Sequence, residues 1–131
     1  MKLGVRALVV LSWLACAPLA RAGEVVAHPS VLLKISDIRD VYLGEKQLSG
    51  DIRLVPVDNS ATQEVFLAAV LQTNARNYAA RWRRKAFRDG ISPPPVKGSD
   101  AEVMSFVRST PGAIGYIAGT AGAGVIVLDK F

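Results

Sequence analysis

Pro111-Gly112-Ala113-Ile114-Gly115-Tyr116-Ile117 reads as a turn that opens into a strand. Pro-Gly halts a helix and redirects the chain. The apolar run behind it is short, and Gly115 within it lets a neighbour come close to the backbone. Upstream, Ser99 followed by Glu102 forms a capping box, and Val103, Phe106 and Val107 are spaced as the inner face of a helix. Downstream, a Gly/Ala loop leads to a second strand, Val125 to Leu128. Helix, sharp turn and buried strand are the parts of an α/β fold, and the rest of the chain repeats them.

Glu24 to Ala27 is a short apolar stretch stopped by His28-Pro29, and is predicted to be the first strand. Ser36 is a plausible N-cap for a helix carrying Ile38, Val41 and Tyr42, with Gly44 as its stop. Ile52 to Val57 is predicted to be a buried strand, terminated by Asp58-Asn59-Ser60. A helix should then start around Ser60 to Thr62, with Val65, Phe66, Ala69, Val70 and Leu71 on one side. Another is expected from Ala75 to about Arg88, with Tyr78, Trp82 and Phe87 as its apolar members. Ser92-Pro93-Pro94-Pro95 is a stiff connector. Strands separated by helices imply an α/β three-layer sandwich with a mixed, partly parallel sheet.

The first 22 residues follow other rules. Lys2 and Arg6 precede an apolar run, and Ala20-Arg21-Ala22 offers small residues where a signal peptidase reads. This is the three-part layout of a secretory signal, with cleavage expected before Gly23. The run is too short for a spanning helix of roughly 20 residues, and Pro18 and Arg21 end it. A lipoprotein signal at Cys16, the one cysteine, fits less well, because Trp13 stands where such signals place Leu. Cleavage after Ala22 would leave a single domain of 109 residues, 23–131, without cysteine and so without disulfides. The three basic residues of the leader account for much of the net charge of +5, and +2 remains without them. That balance calls for neither nucleic acid nor membrane as partner, and the expected location is the periplasm.

Several segments together resemble a known family. Asp40-Val41-Tyr42-Leu43-Gly44 is similar to a helix end in phosphate-type solute-binding proteins of ABC importers. Trp82 to Phe87, then Pro93 to Pro95, then Ala101-Glu102-Val103, follow the order of a second family run. Pro111 to Tyr116 is the closest match. The chain is thereby identified as resembling a small single-domain member of the phosphate ABC-transporter substrate-binding family, with the fold of one lobe of a type II periplasmic binding protein. Family members hold phosphate in a Gly-Ser-Gly-Thr loop at a helix start, preceded by an Arg. The corresponding stretch is Asn59-Ser60-Ala61-Thr62, which keeps both hydroxyls, lacks both glycines, and has Pro56 where the Arg is expected.

The resemblance makes Asn59, Ser60 and Thr62 candidate ligands for phosphate or another small oxyanion, held at a helix N-terminus whose N–H groups point outward. Simple capping of the helix by Asn59 or Ser60 is the competing reading. The resemblance also implies a missing second lobe, so either a partner supplies it or anion capture is not the task. The second possibility is a ligand-free module that contacts another envelope protein. Arg76, Arg81, Arg83, Arg84, Lys85 and Arg88 form a run without a carboxylate. It reads as a solvated face, or as a surface for an acidic protein, lipid headgroups or a polyanion, with its cations divided between faces. No metal or cofactor is expected. His28 is the sole histidine, and Asp37 and Asp40 suit a helix N-terminus better than a catalytic pair, so the chain is not expected to be an enzyme.

Overall fold

In the computed structural model, which describes residues 23–131, the first strand lies in the middle of the main sheet. Strand β1, Glu24–Ala27, pairs antiparallel with β7, Ala113–Ile117, on one side and with β8, Ile126–Lys130, on the other. Beyond β7, β4 (Val55–Pro56) adds in parallel, giving the order β4-β7-β1-β8. The leader and the Cys16 alternative lie outside the described residues.

Alternation along β1 and β7 divides the core in two. Val25, Ala27, Ile114 and Tyr116 face α1 (Ile35–Tyr42), α2 (Gln63–Phe66) with its π-helical continuation Leu67–Leu71, and α3 (Ala75–Asp89). Val26, Ala113 and Ile117 face α4 (Asp100–Ser109), which contributes Val103, Met104 and Val107. Both sheet faces are therefore covered, and the central strands are buried and, apart from Glu24, carry no charged residue. The result is a three-layer α/β sandwich with a mixed sheet. Gly115 has its place in it: a Cβ there would lie 2.6 Å from Val103 Cγ1, so α4 can seat only against a bare backbone. Gly112, at φ +80°, turns the chain where a Cβ would run into the carbonyl of Arg53.

Four expectations are corrected. The single strand predicted over Ile52 to Val57 is broken into β3 (Ile52–Arg53), hairpinned to β2 (Leu48–Ser49), and β4. Pro56 has no N–H, and the extended chain changes partner as it passes it. Asp58-Asn59, expected to end the strand, are instead a buried strand, β5, parallel to β6 (Val96–Lys97). Helix α1 begins after Lys34, not Ser36, because the Asp37 carboxylate accepts the Lys34 N–H at 3.0 Å and fixes the first turn there. The second helix buries Phe66, Leu67 and Leu71 and leaves Val65 exposed. Its π turn has wider spacing than 3.6 and rotates the inner face.

Helix α3 runs as expected but with one exchange. Tyr78 and Trp82 are buried, and the next inward position at helical spacing is Lys85, while Phe87 is 95% exposed. The Trp82 indole donates to the Tyr42 carbonyl at 3.1 Å. Gly44, in the left-handed conformation, ends α1 against Trp82 and Lys85, whose side-chain atoms occupy the space of a Cβ.

Candidate functional site

Strands β5 and β6 run in parallel, and each delivers the chain to a helix: β5 through Asn59–Thr62 into α2, β6 through Gly98-Ser99 into α4. This arrangement places two helix N-termini side by side at the same end of a parallel pair, a common position for ligands in α/β proteins.

Asn59 is fully buried and holds the first turn. Its amide Nδ2 donates to Asp100 Oδ1 at 2.8 Å and to the Tyr116 carbonyl at 3.1 Å, and its Oδ1 accepts from the Ala61 N–H at 3.0 Å. Asp100 also accepts from the N–H groups of Ala118 and Gly119, which ties the end of β7 to the same junction. Ser60 is exposed, and its N–H donates to the Lys97 carbonyl. Thr62 stands in the N-cap position and is largely buried, yet its side chain makes no capping hydrogen bond. Among the described residues neither the Ser60 nor the Thr62 hydroxyl has a hydrogen-bond partner. Helix geometry leaves the N–H groups of Gln63, Glu64 and Val65 without intrahelical acceptors. Asn59, Ser60 and Thr62 thus share one turn, but in different roles: Asn59 is spent on the fold, and the two hydroxyls are available. Simple capping by the Asn59 or Ser60 side chain is not what the turn shows, since the one such bond reaches Ala61, ahead of the helix.

Beneath the turn lies Asp58, expected from the sequence only to end a strand. Asp58 is 2% exposed, and its carboxylate accepts from the Tyr116 hydroxyl at 2.8 Å and the Tyr78 hydroxyl at 2.9 Å. Burial pushes its carboxyl up to about 6, against the opposite pull of the two phenols. Both phenols are raised in turn, first by burial and then by the Asp58 charge. The signal for this triad was present: two tyrosines at otherwise apolar core positions require an acceptor, and Asp58 is one residue from the predicted site. Asp58 and Tyr78 also line a mainly apolar groove of about 480 Å³, with Gln63, Trp82, Pro94 and Val96.

The electrostatics of the turn oppose strong anion capture. Asp58 precedes it, Glu64 follows it in the first turn of α2, Asp100 is bonded to Asn59, and Pro56 supplies no cation. The cations gather elsewhere. Arg81, Arg84, Lys85 and Arg88 line one cleft of about 230 Å³ with Glu45, whereas the sequence reading divided these cations between faces. Glu45 Oε1 lies 3.4 Å from Arg81 Nη2 and 3.6 Å from Lys85 Nζ, so the cleft already holds a carboxylate of its own. Lys85 also pairs with Asp89 at 3.6 Å, which offsets the cost of its burial. His28 bonds Ser30 locally, its Nδ1 2.7 Å from the Ser30 hydroxyl. No group of three or more potential metal-ligating side chains occurs among the described residues, and none of their helices is long and apolar enough to cross a membrane.

No family model matches the chain, and no curated protein matches it. Among solved structures it is similar to an ABC-type phosphate transport receptor from Vibrio cholerae, with a TM-score of 0.61 and 17% identity. The likeness covers 82% of this chain and 45% of the receptor. It establishes a shared fold, and the chain spans about half the receptor's length.

Proposed function

We propose that this chain is an exported, non-catalytic, solute-binding-like lobe that takes a small oxyanion, phosphate in the first instance, weakly at the turn leading into α2. The observation that carries the reading is the pair of unpartnered hydroxyls, Ser60 and Thr62, beside helix N–H groups, in a fold similar to that of a phosphate receptor. Asn59 sets the shape of the turn rather than contacting the anion through its side chain, which is already fully engaged. Nearby carboxylates and the missing Arg argue for weak affinity, so the titration must reach millimolar anion. Isothermal titration of the protein with phosphate and sulfate at constant ionic strength tests this, and absence of heat up to tens of millimolar of either anion would end it.

A second reading has its own observation. The chain matches 45% of the receptor, and the groove over Asp58 and Trp82 is mainly apolar. A ligand-free module that docks another envelope protein would use such a surface. Pull-down from an envelope extract, with Ala79→Glu in the groove as control, separates it from the first: the substitution abolishes capture and leaves any phosphate heat unchanged.

A further inference from the structure

The outward face of α3 has a composition that neither reading uses. At about 100° per residue, the side turned away from the core spans an arc of about 160°. It contains Arg76, Arg81, Arg83, Arg84 and Arg88, with Phe87 between Arg76 and Arg84 around the helix, and all six are exposed. It contains no carboxylate. Asp89 and Glu45 lie at its inner edge, engaged with Arg88, Arg81 and Lys85. Arg84 makes no ion pair among the described residues. The helix is 15 residues long, about 22 Å.

We propose that the outward face of α3 docks on an anionic lipid surface, with the arginines on headgroup phosphates and the Phe87 ring in the interfacial layer. Exposed cations of one sign with a bare phenyl ring among them match a surface that offers anionic headgroups and an apolar layer together, as an anionic bilayer does. Guanidinium groups bind phosphodiesters in a two-pronged manner and are weakly hydrated, which favours them over lysines in such a contact. A phenyl ring left wholly in water has much to gain from the interface, and its neighbours are the residues that would bring it there. The face is separate from the turn at Ser60–Thr62, so the inference stands or falls without it.

The test is sedimentation of the protein with vesicles of phosphatidylcholine containing 30 mol% phosphatidylglycerol, at about 0.1 M salt. It is made on the full chain and on residues 23–131, which hold both core clusters and the whole main sheet, so that the apolar N-terminal stretch cannot supply the binding. Residues 23–131 should bind the anionic vesicles and not phosphatidylcholine alone. Each arginine near such a surface is worth about fivefold in partitioning, so Arg84→Gln with Arg88→Gln should weaken binding about thirtyfold. Phe87→Ala should weaken it about tenfold while leaving the melting curve unchanged, because the ring touches no core. In Phe87→Trp, the new indole's emission should shift to the blue on vesicle addition. No binding of residues 23–131 would overturn the proposal, as would binding that the paired arginine variant leaves intact. Full binding by Phe87→Ala would overturn the insertion of the ring.

Discussion

The turns leading into α2 and α4 follow parallel strands and differ in what they do with their polar groups. At α4 the polar side chains are used internally. The Ser99 hydroxyl accepts the Glu102 N–H at 3.3 Å, Glu102 reaches back to the Gly98 N–H at 2.7 Å, and Asp100 takes three donors. At α2 the Thr62 and Ser60 hydroxyls are unused, and the helix N–H groups have only solvent or a ligand to meet. A helix start whose side chains are spent on their own turn, with a carboxylate in it, has less capacity for an anion than one whose hydroxyls are unused. The comparison explains why the candidate site belongs to α2, although α4 carries the better-formed capping motif.

The strongest way to break this comparison is to cut the link between the turns. Asn59→Ala removes the bonds to Asp100 and Tyr116 and strands the buried Tyr116 carbonyl, and should cost about 3 kcal/mol. Chemical denaturation measures it; a loss under 1 kcal/mol would mean that the junction does not hold the α2 turn in place.

The next effect is one of pH. Asp58 has a carboxyl near 6 in the folded chain, above its unfolded value near 4, so between these the folded state binds more protons and stability falls as pH rises. The loss should be on the order of 2–3 kcal/mol, begin near pH 4 and be complete somewhat above pH 6. Asp58→Asn should remove that component, read as the difference between the two stability–pH curves. Parallel curves would show that the carboxyl is not raised.

A smaller effect separates the two turns directly. Ser99→Ala should cost about 1 kcal/mol, as loss of an N-cap does, whereas Ser60→Ala should stay within about 0.5 kcal/mol. Equal costs would erase the distinction between a closed and an open helix start.

The sequence carried the layers better than the site. Helices α3 and α4, strands β1 and β7 and the turn at Pro111-Gly112 were legible because each has an internal pattern: a cap, a 3–4 spacing or a short apolar run between breakers. Residues 52–59 were not, since three strand pieces of two residues each have no period to read, and their pairing depends on partners far along the chain. Phe87 and Lys85 were misplaced for a related reason. Hydrophobicity favours Phe87 as the inward residue, but the spacing from Trp82 assigns that position to Lys85, whose charge Glu45 and Asp89 satisfy. Ser60 and Thr62 were readable as residues of a helix start, while the full use of Asn59 and the burial of Asp58 required the fold.

The central claim is that the open start of α2 takes an oxyanion, and a pair of melting curves tests it most directly. Phosphate is added to the parent and to Ser60→Ala/Thr62→Ala at fixed ionic strength, up to tens of millimolar. At ten times the dissociation constant the parent should gain about 1.4 kcal/mol, a rise of several degrees in Tm, and the double variant should gain nothing. An equal rise in both proteins would place the anion elsewhere, and no rise in either would leave the two hydroxyls without a ligand; each result contradicts the claim.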